Sequence, residues 1–321
     1  MNLISVDDLT NEMYLELFGL TEMFIEVSTR PIPKVPTLRG KTLATVFFEN
    51  STRTRLSFET AAKRLSADTL SFSASTSSLS KGESLFDTIN TLDAIGVDFL
   101  VVRHSRAGTA SMVANWTQAA VINAGDGCGE HPTQSLIDCA TLVRRFAKPD
   151  LDSLDRSKTI NKYLSGLKIA IVGDVLHSRV ARSNIKAFTN LGAKVTLVGP
   201  PTLIPDNIES WPVDVCYDLD QVISEIDVIY LLRMQNERFD ESIVPSTLEY
   251  SKNWGLDMAR LKRLGPDGVI MHPGPINRGV ELTSEVADST QSLILDQVRH
   301  SVPVRMAILA MLANLIGGGH E

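Results

Sequence analysis

Ser51-Thr52-Arg53-Thr54-Arg55 is a polar, doubly cationic run between an apolar strand-like stretch at 43–48 and a helical pattern carried by Phe58, Ala61, Ala62 and Leu65. Such a junction puts hydroxyls, backbone N–H groups and guanidinium at a helix N-terminus, where unpaired donors and partial positive charge favour a dianion. An arginine fork also matches phosphate oxygens better than an ammonium does. The run therefore reads as a phosphate site; without its arginines it would serve equally well as a plain helix cap. A second string, His131-Pro132-Thr133-Gln134, follows the glycine-rich Gly125-Asp126-Gly127-Cys128-Gly129 and opens another helix. It brings an imidazole and an amide, groups that polarise a carbonyl, although a lone histidine at a helix start is more often a cap or a satisfied buried ring.

Other cations sit where strands should end. Arg103 closes one apolar run, with His104 beside it reading as structural, and Arg233 follows another at 228–232. Arg179 comes just after the strand-like 167–172 in Gly173-Asp174-Val175-Leu176-His177-Ser178-Arg179, at a helix start. Lys81-Gly82 lies in a serine-rich stretch at 71–84 that has the composition of a linker, yet a cation on a pliable loop can also close over a site. The turn at Gly173 lacks GxGxxG spacing and no GxxxxGK[ST] loop occurs, which argues against a dinucleotide or a nucleoside triphosphate. Cys128, Cys139 and Cys216 make no CxxC and no paired metal spacing. No cofactor and no metal are expected.

The elements that must position these groups alternate. Strand-like runs at 43–48, 69–72, 97–102 and 120–122 are separated by helical patterns near 54–66 and 84–95. After a polar stretch at 148–165 the rhythm restarts with 167–172, a helix near 179–191, then 194–198, 228–232 and 269–271. This is the βαβ pattern of buried parallel strands, given twice. The apolar run from about 304 to 315 is too hydrophobic for a solvated tail and must pack on something. With 321 residues, 43% hydrophobic and 21% charged, the chain has the composition and length of two globular domains. A net charge of −7 disfavours nucleic acid as a partner. The acidic start Met1-Asn2-Leu3-Ile4-Ser5-Val6-Asp7-Asp8 is unlike a targeting peptide, and no apolar run approaches the ~20 residues of a membrane span, so a cytoplasmic protein is expected.

In order along the chain come Phe47-Phe48-Glu49-Asn50-Ser51-Thr52-Arg53-Thr54-Arg55-Leu56-Ser57-Phe58-Glu59, Lys81-Gly82-Glu83-Ser84, Arg103-His104-Ser105, His131-Pro132-Thr133-Gln134, Arg179, Arg233-Met234-Gln235 and His272-Pro273-Gly274-Pro275. On these strings, spanning about 47–281, the chain resembles the aspartate/ornithine transcarbamylase family. The resemblance implies an α/β fold of two doubly wound parallel-sheet domains with the active site in the cleft between them. Residues 1–147 would bind carbamoyl phosphate, with the C-terminal helix 291–321 packing back on them, and 148–290 would bind aspartate. It further implies that Ser51, Thr52, Arg53 and Thr54 hold the phosphate, that Arg103, His131 and Thr54 face the carbonyl oxygen, and that Gln134 takes the carbamoyl NH2. Pro273, Gly274 and Pro275 would offer backbone carbonyls. Ser77 and Lys81 would come from a neighbouring chain, which means a homotrimer with shared sites. Arg179, Arg233, Gln235 and that Lys81 would hold L-aspartate, while Glu49 and Arg238 would serve domain closure. An ornithine-specific member would carry cysteine after the late histidine, where this chain has Pro273, so aspartate is the expected acceptor. Another amine acceptor such as ornithine, or a non-catalytic metabolite-binding homologue, is the alternative. A regulatory chain or a dihydroorotase is a possible partner in a larger assembly.

Overall fold

Short runs of β-branched and apolar residues that can be buried on both faces form parallel strands when helices cover them. The computed structural model describes residues 1–73, 84–147, 163–234 and 246–317. Packing divides these into one unit of 1–140 and 299–317 and a second of 141–147 and 163–298.

The first unit holds a four-stranded parallel sheet of β1 (Thr42–Phe47), β2 (Asp68–Ser73), β3 (Phe99–His104) and β4 (Ala120–Asp126), in the order β2-β1-β3-β4. The chain steps from β1 outward to β2 and then returns to the other side of β1 as β3. The sheet's topological switch point, where α/β proteins place ligands, therefore lies between β1 and β3. Its helices are α1 (Asn11–Ser28), α2 (Thr52–Arg64), α3 (Leu85–Ile95), α4 (Thr109–Ala114) and the start of α5 (Pro132–Phe146). Alternate residues of the strands, Ala44 and Val46, Leu100 and Val102, and Val121, join Ile89 and Leu92 of α3 and Val113 of α4 in one core. The third strand begins at Phe99 rather than at the expected 97, because Val97 belongs to the end of α3. Gly96 there takes a left-handed φ of 87°, and the Val97 N–H closes back on the Leu92 carbonyl at 3.3 Å.

In the second unit β5 (Lys168–Val172), β6 (Lys194–Val198), β7 (Asp214–Cys216), β8 (Val228–Leu231) and β9 (Val269–Met271) form a parallel sheet in the order β7-β6-β5-β8-β9. Its switch point is between β5 and β8. The strand β7 is additional to those expected from the sequence. Helices α6 (Arg179–Asn190), α7 (Leu219–Val222), α8 (Thr247–Trp254), α9 (Met258–Leu264) and α10 (Ser284–Ala287) complete the unit. Ala170, Val172, Ile229, Leu231 and Ile270 pack with Tyr250, Trp254, Leu261 and Leu264. Two doubly wound parallel sheets, as the sequence pattern implies, are what the chain forms.

The last helix, α11 (Ile294–Gly317), runs through Pro303 and includes the apolar run that begins near 304. Its residues from 299 onward belong to the first unit. Val304 to Leu312 are all buried, and the guanidinium of Arg305 lies 4.8 Å from the centre of the Phe58 ring of α2.

Candidate functional site

The first unit's candidate residues gather at the carboxyl ends of β1, β3 and β4. Phe47 is the register partner of Arg103, and the Phe48 N–H donates to the Arg103 carbonyl at 2.9 Å, so the loop carrying Ser51 leaves β1 beside that arginine. Ser51 occupies the cap position of α2, yet its side chain makes no capping hydrogen bond, and the first turn holds no acidic residue. The helix start thus keeps its positive character and the hydroxyl is not committed to the helix's own donors. Thr54 is buried in that first turn, while Thr52 and Arg53 are exposed. The Arg103 fork is held at both ends: Nη1 donates to the Ala124 carbonyl at 3.0 Å and Nη2 lies 3.4 Å from Glu49 Oε2. Burial, followed by the charge of Arg106, pulls the His104 pKa below the usual imidazole range. Its Nδ1 accepts from the Arg106 N–H at 2.9 Å, which fits a neutral ring organising the turn after β3.

The turns after β3 and β4 are fastened to one another. Gly127 has a φ of 49°, and a Cβ there would fall 2.7 Å from both the Ala107 nitrogen and the Ser105 carbonyl. The buried Asp126 carboxylate accepts from the Gly108 N–H at 2.6 Å, the Glu130 N–H at 2.9 Å and Asn123 Nδ2 at 3.1 Å. This sets His131, itself buried, immediately before α5, where its carbonyl accepts from the Gln134 and Ser135 N–H groups at 3.1 and 3.2 Å. Its Nδ1 lies 3.4 Å from the Thr133 hydroxyl. Gln134 Nε2 donates to Asp138 Oδ1 at 2.9 Å, one helical turn further on.

The second unit's candidates stand at the carboxyl ends of β5, β8 and β9. Gly173, with a φ of 123°, leaves no room for a side chain, since a Cβ would meet the Tyr250 hydroxyl at 2.6 Å. The fully buried Asp174 accepts from the His177 N–H at 3.1 Å and lies 3.0 Å from His177 Nδ1. Ser178 then caps α6 by accepting from the Ala181 N–H at 3.1 Å, so that Arg179 opens the helix at only 7% exposure. Arginines are rarely that buried without a purpose. On the neighbouring strand the Leu232 N–H donates to the Val172 carbonyl at 2.8 Å, which brings Arg233 out of the sheet beside the 173–178 turn. After β9, His272 Nδ1 accepts from the Gly274 N–H at 2.8 Å and shapes the Pro273-Gly274-Pro275 loop, whose Gly274–Pro275 peptide is cis.

Glu281 binds the last two of these segments together. Its Oε1 accepts from the Met234 N–H at 2.8 Å and Asn277 Nδ2 at 2.7 Å, and its Oε2 accepts from the Asn277 N–H at 2.8 Å and lies 4.0 Å from His272 Nε2. Burial pushes its pKa up, against the pull of those hydrogen bonds. Glu281 and Asp138 carry positions that the sequence reading did not assign. Asp138 had a local signal, an acid four residues after Gln134 among apolar neighbours on one helix. For Glu281 the tie to Met234, 47 residues away, had no such signal. Ser77, Lys81, Gln235 and Arg238 lie outside the described residues. Among the described residues no group of three or more His, Cys, Asp or Glu could hold a metal ion, and no helix is long and apolar enough to cross a membrane.

Residues 1–144 match the family "Aspartate/ornithine carbamoyltransferase, carbamoyl-P binding domain", and residues 165–312 match the corresponding "Asp/Orn binding domain". The aspartate carbamoyltransferase catalytic subunit of Thermobifida fusca is 49% identical over 311 residues, covering 97% of this chain and 95% of that one. Among solved structures, the catalytic subunit of M. jannaschii aspartate transcarbamoylase is 35% identical, covers 99% of both chains and superposes with a TM-score of 0.81. The Trypanosoma cruzi aspartate transcarbamoylase in complex with N-(phosphonacetyl)-L-aspartic acid is 29% identical, covers 97% of this chain and 94% of that one, and gives a TM-score of 0.79.

Proposed function

The chain belongs to the aspartate/ornithine carbamoyltransferase family, and from that premise we infer that it transfers the carbamoyl group of carbamoyl phosphate to the α-amine of L-aspartate. The products are N-carbamoyl-L-aspartate and phosphate, an early step of pyrimidine synthesis. One observation carries the reading furthest. In each unit, the side chains suited to an anion stand at the carboxyl ends of the strands that flank that unit's own switch point: Ser51 to Thr54 and Arg103 beside β1 and β3, Arg179 and Arg233 beside β5 and β8. Two anionic substrates call for two such clusters.

In this reading Ser51, Thr52, Arg53 and Thr54 bind the phosphate, and Arg53 stabilises it as it departs. Arg103, His131 and the Thr54 hydroxyl take the carbonyl oxygen, whose negative charge grows as the amine attacks; a preorganised donor at such an oxygen is typically worth ~10² to 10³ in rate. Gln134, Gly274 and Pro275 accept from the carbamoyl NH2 and the incoming amine. Arg179, Arg233 and Gln235 bind the aspartate carboxylates. The new C–N bond forms, the C–O bond to phosphate breaks, and the balance closes when a phosphate oxygen takes up the proton lost by the amine. No covalent intermediate with the protein is needed.

Ser77 and Lys81 act in a neighbour's site, which makes the working species a homotrimer, and Glu49 and Arg238 serve domain closure. The trimer is also the unit that a regulatory chain or a dihydroorotase would join. The compartment is the cytoplasm, whose reducing poise keeps thiols such as Cys128, Cys139 and Cys216 free. The test is an acceptor panel: purified protein with carbamoyl phosphate should release phosphate with L-aspartate and not with ornithine or other amines. Release with ornithine alone would overturn the acceptor, and release with none would overturn the activity.

A further inference from the structure

A neutral side-chain amide has a donor end and an acceptor end of nearly the same shape, so a glutamine that must accept from a substrate NH2 needs something to decide which end faces the ligand. Gln134 has its nitrogen 2.9 Å from Asp138 Oδ1. Asp138 is fully buried one turn along α5, whereas Gln134 is half-buried. An ionised carboxylate can only accept, so only the NH2 end of Gln134 can face it. The guanidinium of Arg305, fully buried on Phe58 of α2, is lowered to about 9 by burial, which the charge of Asp138 opposes.

We propose that Asp138 is a positioning residue for the transfer: by fixing the nitrogen end of the Gln134 amide it presents the oxygen end to the carbamoyl NH2, and so sets the preference for an amide over an isosteric ketone. The inference rests on the assignment of Gln134 to the carbamoyl group. Asp138→Asn should remove that control, because an amide can turn either its donor or its acceptor end to Gln134 and so no longer decides which end of Gln134 meets the substrate.

Calorimetric titration tests this with phosphonoacetamide, with 2-oxopropylphosphonate, which carries CH3 in place of the NH2, and with inorganic phosphate. The wild-type protein should prefer the amide to the ketone, and Gln134→Leu should abolish the preference. Asp138→Asn should cut the preference about tenfold, the size of one neutral hydrogen bond, while phosphate affinity stays within about twofold. Added to Gln134→Leu, Asp138→Asn should change the preference no further. A preference that survives Asp138→Asn, an equal weakening of all three ligands, or the same loss in both backgrounds overturns the proposal. If Gln134→Leu itself leaves the preference intact, the assignment of Gln134 falls, and this inference with it. Should Asp138→Asn not fold, Asp138→Ser, which lacks a carboxylate but is smaller, is read by the same ratio.

Discussion

Arg53→Ala should separate catalysis from folding cleanly. Arg53 is exposed in the first turn of α2, and its side chain enters no hydrogen bond or ion pair among the described residues. For the fold it is slightly unfavourable, because a cation at a helix N-terminus opposes the macrodipole by about 0.3–1 kcal/mol and alanine is the better helix former. Truncation should therefore leave stability unchanged within about 0.5 kcal/mol or raise it a little. For the proposed reaction it removes the guanidinium assigned to the departing phosphate. Loss of one such donor costs a factor of ~10² to 10³ in turnover, or about 2.7–4 kcal/mol of barrier. The assay is initial phosphate release at saturating L-aspartate over a range of carbamoyl phosphate, with thermal unfolding of the same samples. Turnover within about threefold of wild type would refute the phosphate assignment. A fall in activity matched by a large fall in melting temperature would mean that Arg53 holds the fold instead.

Arg233→Ala should raise the KM for aspartate about 10- to 100-fold, the size of a charge-assisted hydrogen bond, with little change for carbamoyl phosphate; equal weakening of both would misplace the residue. Glu281 offers a pH test. Burial raises its pKa above the ordinary 4.5, so its contribution to wild-type stability is full below that value and is lost as pH rises through the raised one. The stability of Glu281→Gln relative to wild type should therefore increase as pH rises above 4.5, and a difference flat in pH would contradict the raised pKa. For the shared site, Lys81→Ala and Arg53→Ala homo-oligomers should each be nearly inactive, and exchange of subunits between them should restore activity, because one interface then pairs an intact loop with an intact phosphate pocket. A mixture that exchanges subunits and stays inactive would place Lys81 in its own chain's site or in none.

Most of the architecture was legible because buried parallel strands write themselves as apolar runs: 167–172 against β5, and 194–198 and 269–271 against β6 and β9. What escaped had little local signal. The strand β7 is three residues long and only partly buried, too short for any period to show. The run 51–55 stood out by residue types alone, and the structure adds that Ser51 does not spend its hydroxyl on capping α2. The supporting carboxylates were not readable in the same way. Asp126 and Glu281 each collect a backbone N–H from a distant segment, that of Gly108 and that of Met234, a function that depends on where the chain returns rather than on neighbours in sequence.

The central claim is that the phosphate cluster of the first unit and the arginines of the second serve one pair of substrates at the same time. N-(phosphonacetyl)-L-aspartate carries both anions on one molecule, so its calorimetric titration tests the claim directly. The wild-type protein should bind one molecule per chain, far more tightly than it binds either phosphate or L-aspartate, and Arg53→Ala and Arg233→Ala should each remove most of that gain. An affinity no better than that of phosphate alone, or one that a single one of the two substitutions leaves untouched, would contradict it.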